Sequence, residues 1–155
     1  MPEQTGTEPV WTRGVIGSII DRLLGWQFGL PPETCNYKVQ PLRIPIHEEI
    51  NRIELTADLY VPVALEGNKP AGTVLVQGPY GRGLFFAAIF ARIFAARGYQ
   101  ILFVSSRGTF GSGGDFDPFR TEAEDGKAVV EWMRKQSWYT GTFATLGAVR
   151  ISPPR

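Results

Sequence analysis

The chain has 155 residues, of which 43% are hydrophobic and 20% charged, and its formal net charge is +1. These values are typical of one globular domain, and a near-neutral chain without a basic stripe argues against nucleic acid as a partner. The single cysteine, Cys35, excludes an intrachain disulfide and a cysteine metal cluster. With no evident secretory signal, we expect a cytoplasmic, reducing setting.

The N-terminal part of the chain contains one predicted helix. Residues 1–14 are polar and proline-containing, which predicts a flexible leader, and residues 15–40 are expected to form an amphipathic helix, ending near Gly25, and a linker. The apolar run is too short and too interrupted for a transmembrane segment. We expect its apolar stripe to pack against its own domain, because the polar face is poor in Lys and Arg. A lipid-surface role for Val15 to Leu30 is the weaker alternative.

Two extended segments follow, "PLRIPIHEEI" and "RIELTADLYVPV". The second alternates apolar and polar residues, as half-buried strands do, so the two predict an antiparallel pair at a sheet edge. His47 is the only histidine and lies in the first segment. We interpret it as a surface residue, because a general base needs an orienting partner and a nearby nucleophile.

The rest of the chain has the pattern of an α/β fold. The apolar runs "TVLVQGPY" and "ILFVSSRG" flank an apolar-rich helix, which predicts a βαβ unit with parallel strands. A second helix, "TEAEDGKAVVEWMRKQ", has Thr121 as its N-cap and Glu124 at the capping-box position, and the strand "TFATLG" follows. The order predicts a mostly parallel sheet with an antiparallel N-terminal edge.

Ligands of such sheets bind at the loops that follow the parallel strands. The loop "GPYGRG" matches neither a P-loop nor a dinucleotide fingerprint, and residue type alone favours a structural role for Tyr80. In "RGTFGSGGDFDPFR", Asp115 and Asp117 are better explained as turn residues than as cation ligands, because the other ligands of a calcium loop are missing. We therefore expect no cofactor and no metal.

The strand "TFATLG" ends where a nucleophile elbow, G-x-nucleophile-x-G, would begin. Gly147 and Ala148 fill the first two positions. Val149 occupies the nucleophile slot and has no heteroatom for attack, and the β-branched Ile151 replaces the last glycine. The elbow is thus incomplete as written.

An ordered series of motifs resembles the X-prolyl dipeptidyl-peptidase and cocaine-esterase family of α/β-hydrolases. The motifs are "LTADLYVP", "LVQGPYGRG", "FAARGYQILFVSSRGTFGSGGDFDPF", "EAEDGKAVVEWMRKQSW" and "GTFATLGA". They correspond to the N-terminal part of the family's catalytic domain. The resemblance implies an incomplete α/β-hydrolase domain over residues 41–148, truncated at the nucleophile elbow, and a tail outside the family pattern over 149–155.

The resemblance also implies roles for individual residues. The Tyr80 hydroxyl would donate to the oxyanion, together with the backbone amide of Arg150, and Val149 stands where the family has its nucleophilic serine. The family's aspartate, histidine, cap region and jelly-roll domain come further along the chain. Ser106 replaces the acidic residue that usually precedes the Arg-Gly pair.

The implied function is that of a serine hydrolase acting on X-Pro peptide, ester or amide bonds of a small-molecule or peptide substrate. We expect the chain as written to be inactive, since it lacks the nucleophile, the acid and the histidine base. The alternative is a non-catalytic binding or regulatory module that uses an open sheet edge, with self-association through that edge. One hypothesis for "VRISPPR" is an unspliced intron, because the codons of Val149 and Arg150 permit GTAAGA or GTAAGG.

Overall fold

The computed structural model describes residues 9–47, 52–63, 69–117 and 120–147. One sheet has the strand order β1-β2-β3-β5-β4-β6. Its strands are β1 (Trp11–Thr12), β2 (Asn36–His47), β3 (Arg52–Val63), β4 (Thr73–Gly78), β5 (Gln100–Ser105) and β6 (Phe143–Leu146). The helices are α1 (Val15–Gln27), α2 (Leu84–Ala87), which continues through a π-helical segment (Ala88–Arg92) into α3 (Ile93–Ala95), and α4 (Glu122–Arg134).

The sheet is mixed. Strands β1, β2, β3 and β5 pair antiparallel in turn, whereas β4 lies parallel to both β5 and β6. The predicted βαβ unit is confirmed, with Thr73 of β4 opposite Gln100 of β5. The α/β fold and its antiparallel N-terminal part are also confirmed. That part is larger than a single edge pair, so among the described strands antiparallel neighbours outnumber parallel ones.

The N-terminal strands begin earlier than predicted. Strand β1 lies within the expected leader, and β2 starts at Asn36, within the expected linker. The predicted antiparallel pair of β2 and β3 is confirmed, and it lies at the edge of the sheet apart from the two-residue β1, which pairs only with Lys38 and Val39 of β2. The early start of β2 follows from the alternation there, since Tyr37 and Val39 are buried and Lys38 between them is exposed.

The sheet has a hydrophobic cluster on each face. Alanines of the helical segment from α2 to α3 allow it to lie close over one face, against Tyr37, Tyr60 and Phe103. Val129 and Met133 of α4 pack on the other face, against Leu59 and Leu102. Neighbouring residues of β5 thus belong to opposite clusters, as expected of a strand covered on both sides.

Helix α1 leaves most of its predicted apolar stripe exposed. The exposed fractions are 53% to 80% at Val15, Ile16, Ile19, Leu23 and Trp26, whereas the stripe residues Ile20 and Leu24 are half-buried. The prediction that the whole stripe packs against the domain was therefore wrong. The buried positions are Asp21 and Gly25, and ion pairs hold the helix: Asp21 pairs with Arg13 at 3.1 Å and with Arg92 at 3.0 Å.

Helix α4 occupies its predicted position but begins differently. Thr121 stands at the N-cap, yet its side chain makes no capping hydrogen bond, so the predicted capping box with Glu124 is not formed. The Thr121 backbone is already near helical, with φ −102° and ψ −12°, whereas a capping hydroxyl normally projects from extended backbone. Within the described ranges, no helix is long and apolar enough to cross a bilayer.

Candidate active site

Tyr80 lies in a glycine-containing loop, residues 78–83, at the carboxyl end of β4. Its ring stacks on Phe86, with centroids 5.5 Å apart, and its side chain is partly exposed. In the part of the chain that the structure describes, no group hydrogen-bonds to the Tyr80 hydroxyl. The hydroxyl can therefore donate to a ligand above this edge of the sheet.

Arg82 anchors the Tyr80 loop to two strands. Its Nε donates to Asp58 Oδ2 at 3.1 Å, and its Nη1 donates to the hydroxyl and the carbonyl of Thr56 at 2.7 and 3.2 Å. The same Nη1 contacts the Ser105 hydroxyl on β5. Hydrogen bonds from a guanidinium are stronger than neutral ones, so Arg82 restricts the loop that carries Tyr80.

The second loop, residues 107–117, is tied to the same strand residue. The Thr56 hydroxyl donates to the Phe110 carbonyl at 3.1 Å, and the Thr56 amide donates to the Ser112 hydroxyl at 3.0 Å. Ser112 in turn donates to the Ser105 carbonyl at 2.9 Å. Thr56 therefore connects both loops at the carboxyl ends of β4 and β5.

Phe110 brings the two loops into direct contact. Its φ of +44° lies in the left-handed region, which is uncommon for a residue with a side chain and is often seen at functional sites. Its ring lies against Gly81, where an added Cβ would come within 2.7 Å of a ring atom. Gly81 itself has φ +78°, so both the contact and the backbone require glycine.

Arg107 and Ser106 fix the start of the second loop. Arg107 forms a two-pronged, buried ion pair with Asp125 of α4, with Nε to Oδ2 at 3.1 Å. Ser106, at the position where the resemblance implies an acidic residue, donates its amide to the Gly78 carbonyl at 3.0 Å and accepts from the Thr109 amide. Backbone hydrogen bonds thus keep the loops paired without an acidic side chain here.

The turn residues considered as cation ligands are not gathered into a site. Asp117 pairs with Arg120 at 3.4 Å in an exposed position. Among the described residues, no three His, Cys, Asp or Glu side chains are grouped for metal binding. Cys35 donates its thiol to the Ala95 carbonyl at 3.2 Å, which is a packing role.

Strand β6 runs toward the same side of the sheet as the Tyr80 loop, the side formed by the carboxyl ends of the parallel strands. It lies parallel to β4 with Leu146 opposite Val76, so β6 ends two residues before β4, whose last residue is Gly78. Neighbouring strands are about 4.8 Å apart, so the end of β6 lies beside β4 just before the Tyr80 loop. The slot residue Val149, together with Ala148, Arg150 and Ile151, lies outside the described residues.

The backbone of His47 lies on the same side of the sheet as the carboxyl end of β4, but it is far from β4 and β6. It is the last residue of β2, which runs in the same direction as β4 and is separated from it by β3 and β5. Three strand spacings amount to about 14 Å. The strand order therefore gives His47 no neighbouring nucleophile strand, and the predicted surface position of its side chain lies outside what the structure describes.

The family model for X-Pro dipeptidyl-peptidase (S15 family) matches residues 51–149, which run from β3 to the predicted elbow. The chain belongs to this family. The resemblance predicted from the motifs is therefore confirmed. Tyr80 and the two loops at residues 78–83 and 107–117 lie inside the range that matches the X-Pro dipeptidyl-peptidase family. Helix α1 lies before that range.

Relatives of known identity agree with this assignment. The cocaine esterase of Rhodococcus sp. (strain MB1 Bresler) is 27% identical over 117 residues, which are 72% of this chain and 19% of the relative. A CocE/NonD family hydrolase from Staphylococcus aureus superposes with TM-score 0.54 at 18% identity, over 71% of this chain and 22% of its own. An esterase from Pyrococcus furiosus gives 0.52 at 21%, over 70% and 41%. The solved structures show the shared α/β-hydrolase fold. The chain spans about a fifth of the length of the cocaine esterase.

Sequence reasoning missed the residues that hold Tyr80 in place. Thr56 and Asp58 were noticed only as polar positions of an alternating strand, and Arg82 only as part of a loop motif. Polar residues on a strand beside a glycine-rich loop are a usable signal, because buried polar groups such as Thr56 need partners. Nothing in the sequence marks Phe110 as left-handed.

Proposed function

We propose that this chain forms the oxyanion-binding side of a serine hydrolase site, with Tyr80 as the side-chain donor. The observation that supports this most is the parallel register of β4 and β6, with Val76 opposite Leu146. A nucleophile turn that follows β6, as in the family, would then lie close to the Tyr80 loop. The substrates are X-Pro peptide, ester or amide bonds of a small molecule or peptide.

In this proposal Tyr80 acts on the charge that develops during acyl transfer. Attack on a carbonyl carbon places negative charge on its oxygen, and the Tyr80 hydroxyl and the Arg150 amide donate hydrogen bonds to it. Such donors are effective when they are fixed before the reaction, because no reorganisation is then needed. Arg82 and Thr56 restrict the Tyr80 loop in this way.

We propose that the chain as written does not catalyse this reaction. Val149 in the nucleophile slot has no atom that can attack a carbonyl. An acyl-transfer site without its nucleophile and base retains only about 10³ to 10⁴ of rate over water, and only with a formed pocket. A serine at 149 would still need a base, and His47 ends a strand that lies four places from β6 in the sheet, roughly 19 Å by strand spacing.

The single half-buried thiol supports a cytoplasmic setting. The near-neutral charge supports a substrate that is not a nucleic acid.

A second candidate is a non-catalytic binding module that pairs the edge of β6 with a partner strand. In the described part of the sheet, β6 has only β4 beside it, and Ala144 and Thr145 are exposed. An unpaired strand edge is a template for another strand, including one from a second copy. Thr145→Pro tests this candidate, because proline removes an edge donor. Association that persists in this variant contradicts the edge as the binding surface.

A fluorophosphonate probe tests the catalytic proposal. We expect no covalent adduct on the chain as written and none on Val149→Ser, measured by intact-mass spectrometry beside a complete serine hydrolase as a positive control. An adduct on the chain as written would show a working nucleophile elsewhere and overturn the assignment of Val149 to the nucleophile slot. An adduct on Val149→Ser alone would overturn the proposed lack of a base.

A further inference from the structure

A cavity of about 350 Å³ lies between the start of β3 and the second loop, residues 107–117. This volume is within the range of roughly 300 to 1,000 Å³ that is usual for small-molecule sites. Charged residues of β2 and β3 line one wall, and glycines of the loop line the other: Arg43, Arg52, Glu54, Gly111, Gly113 and Gly114. We call this space the β3 cavity.

The two walls of the β3 cavity are held together by hydrogen bonds. The Gly113 amide donates to the Glu54 carbonyl at 2.8 Å, and the Thr56 amide donates to the Ser112 hydroxyl at 3.0 Å. A Cβ on Gly113 would come within 3.3 Å of Ile53, so glycine allows the loop to approach β3 closely. A ligand that enters walls already fixed in this way loses little entropy in ordering them.

Opposite charges lie side by side on the strand wall without pairing. Arg52 and Glu54 are two residues apart on β3, so their side chains emerge on the same face, with Cα atoms about 7 Å apart. Within the described ranges, neither side chain makes an ion pair or a hydrogen bond. Because Glu54 is half-buried, its carboxylate favours a ligand that brings a cation or a hydrogen-bond donor. The Arg52 guanidinium favours a carboxylate.

The loop wall offers backbone donors to the same ligand. Gly111 and Gly114 have φ of +91° and +76°, in the left-handed region. Neither amide donates to an acceptor in the part of the chain that the structure describes. Backbone amides in left-handed turns are common donors to the oxygens of anions. They add to Arg52 as partners for a carboxylate.

We propose that the β3 cavity binds a small zwitterion, a free α-amino acid, whose carboxylate pairs with Arg52 and whose ammonium group pairs with Glu54. The two charged groups of an α-amino acid are joined through one carbon atom, so a single ligand can contact both side chains. A phosphate group fits less well, because Glu54 would repel its second negative charge.

The β3 cavity is independent of the proposed catalytic role. Its lining includes no residue of the 78–83 loop that carries Tyr80. Binding in the cavity can therefore be measured in the chain whether or not Tyr80 has a role in hydrolysis.

Three derivatives of one amino acid test the two charge contacts. L-Alanine carries both charged groups, N-acetyl-L-alanine keeps only the carboxylate, and L-alaninamide keeps only the ammonium group. In amide NMR titrations of the chain at neutral pH, we expect the Gly111 and Gly114 signals to shift at concentrations of L-alanine at least roughly tenfold lower than of either derivative. Equal midpoints for the three compounds, or no shift at these two glycines, overturn the proposal. Inorganic phosphate that binds at lower concentration than L-alanine assigns the cavity to oxyanions and also overturns it.

Charge-removing variants assign each contact. We expect Arg52→Met to weaken L-alanine binding at least roughly tenfold, and Glu54→Gln to abolish the preference for L-alanine over N-acetyl-L-alanine. Arg134→Met is the matched control, since Arg134 is an exposed arginine of α4 outside the cavity lining. Unchanged amide signals of β4 and β5 show that each variant is folded. Equal affinities of Arg52→Met and Arg134→Met for L-alanine, or a preference retained in Glu54→Gln, contradict the proposed contacts.

Discussion

The guanidinium of Arg82 donates to the hydroxyl of Thr56 at 2.7 Å, and that hydroxyl donates onward to the Phe110 carbonyl at 3.1 Å. One strand residue therefore links the loop after β4 to the loop after β5. Because neither loop contains a helix or a strand, the geometry of each loop depends on such side-chain hydrogen bonds. The position of Tyr80 follows from this linkage.

Removing the arginine should destabilise the protein measurably. Arg82→Met deletes the bonds to Thr56, Asp58 and Ser105, and we expect the free energy of unfolding to fall by about 1 to 3 kcal/mol. Urea denaturation measures the change. Arg120→Met is the matched control, since Arg120 is 82% exposed and its pair with Asp117 should contribute less than about 1 kcal/mol. Similar losses in both variants would contradict the anchoring role.

Alanine variants of two glycines distinguish the cost of a left-handed backbone from the cost of a clash with a neighbouring side chain. Gly81 and Gly29 both have positive φ, +78° and +63°, but only Gly81 faces the Phe110 ring. We expect Gly29→Ala to cost about 1 to 2 kcal/mol from the left-handed backbone alone, and Gly81→Ala to cost more. Phe110→Ala should lower the additional cost of Gly81→Ala. Equal unfolding free energies for the two alanine variants would contradict the Phe110 contact.

The sequence predicts the parallel half of this fold well. The apolar runs of β4 and β5 and the periodicity of α4 depend on local composition, so their positions follow from residue types. The orientation of α1 does not, because it depends on Arg92 and on Tyr37, far away in the chain, which satisfy Asp21. The Phe110 conformation is likewise set by contacts of its loop with Thr56. Within the candidate site, the resemblance implies the role of Tyr80. The roles of Arg82 and Thr56 depend on contacts between residues far apart in the chain, which the sequence does not reveal.

The buried tyrosine on β3 predicts a pH dependence of stability. Burial, with a contribution from the Asp58 charge, raises the pKa of Tyr60, so the folded protein favours its neutral phenol. The resulting stabilisation is complete below the ordinary tyrosine pKa of about 10 and is lost as pH rises above it. We expect the unfolding free energy to fall above about pH 10, and to fall less steeply in Tyr60→Phe. An unchanged slope in Tyr60→Phe would contradict the raised pKa.

The ion pair between Arg107 and Asp125 should behave as a coupled unit. Asp125→Ala removes one partner of a buried pair, and we expect a loss of about 3 to 5 kcal/mol in unfolding free energy. Arg107→Met combined with Asp125→Leu should lose less than the sum of the two single variants, because neither charge then stays buried without its partner. A double-mutant cycle by urea denaturation measures this coupling. Strict additivity would show that the pair does not link the loop to α4.

Hydrolysis by the purified chain is the most direct test of the central claim, that Tyr80 belongs to a hydrolase site whose nucleophile slot holds Val149. The substrates are a p-nitrophenyl ester and an X-Pro aminocoumarin peptide. We predict that the chain and its Tyr80→Phe variant both hydrolyse them no faster than buffer. Saturable hydrolysis by the chain that falls in Tyr80→Phe would reveal a competent nucleophile and contradict this claim.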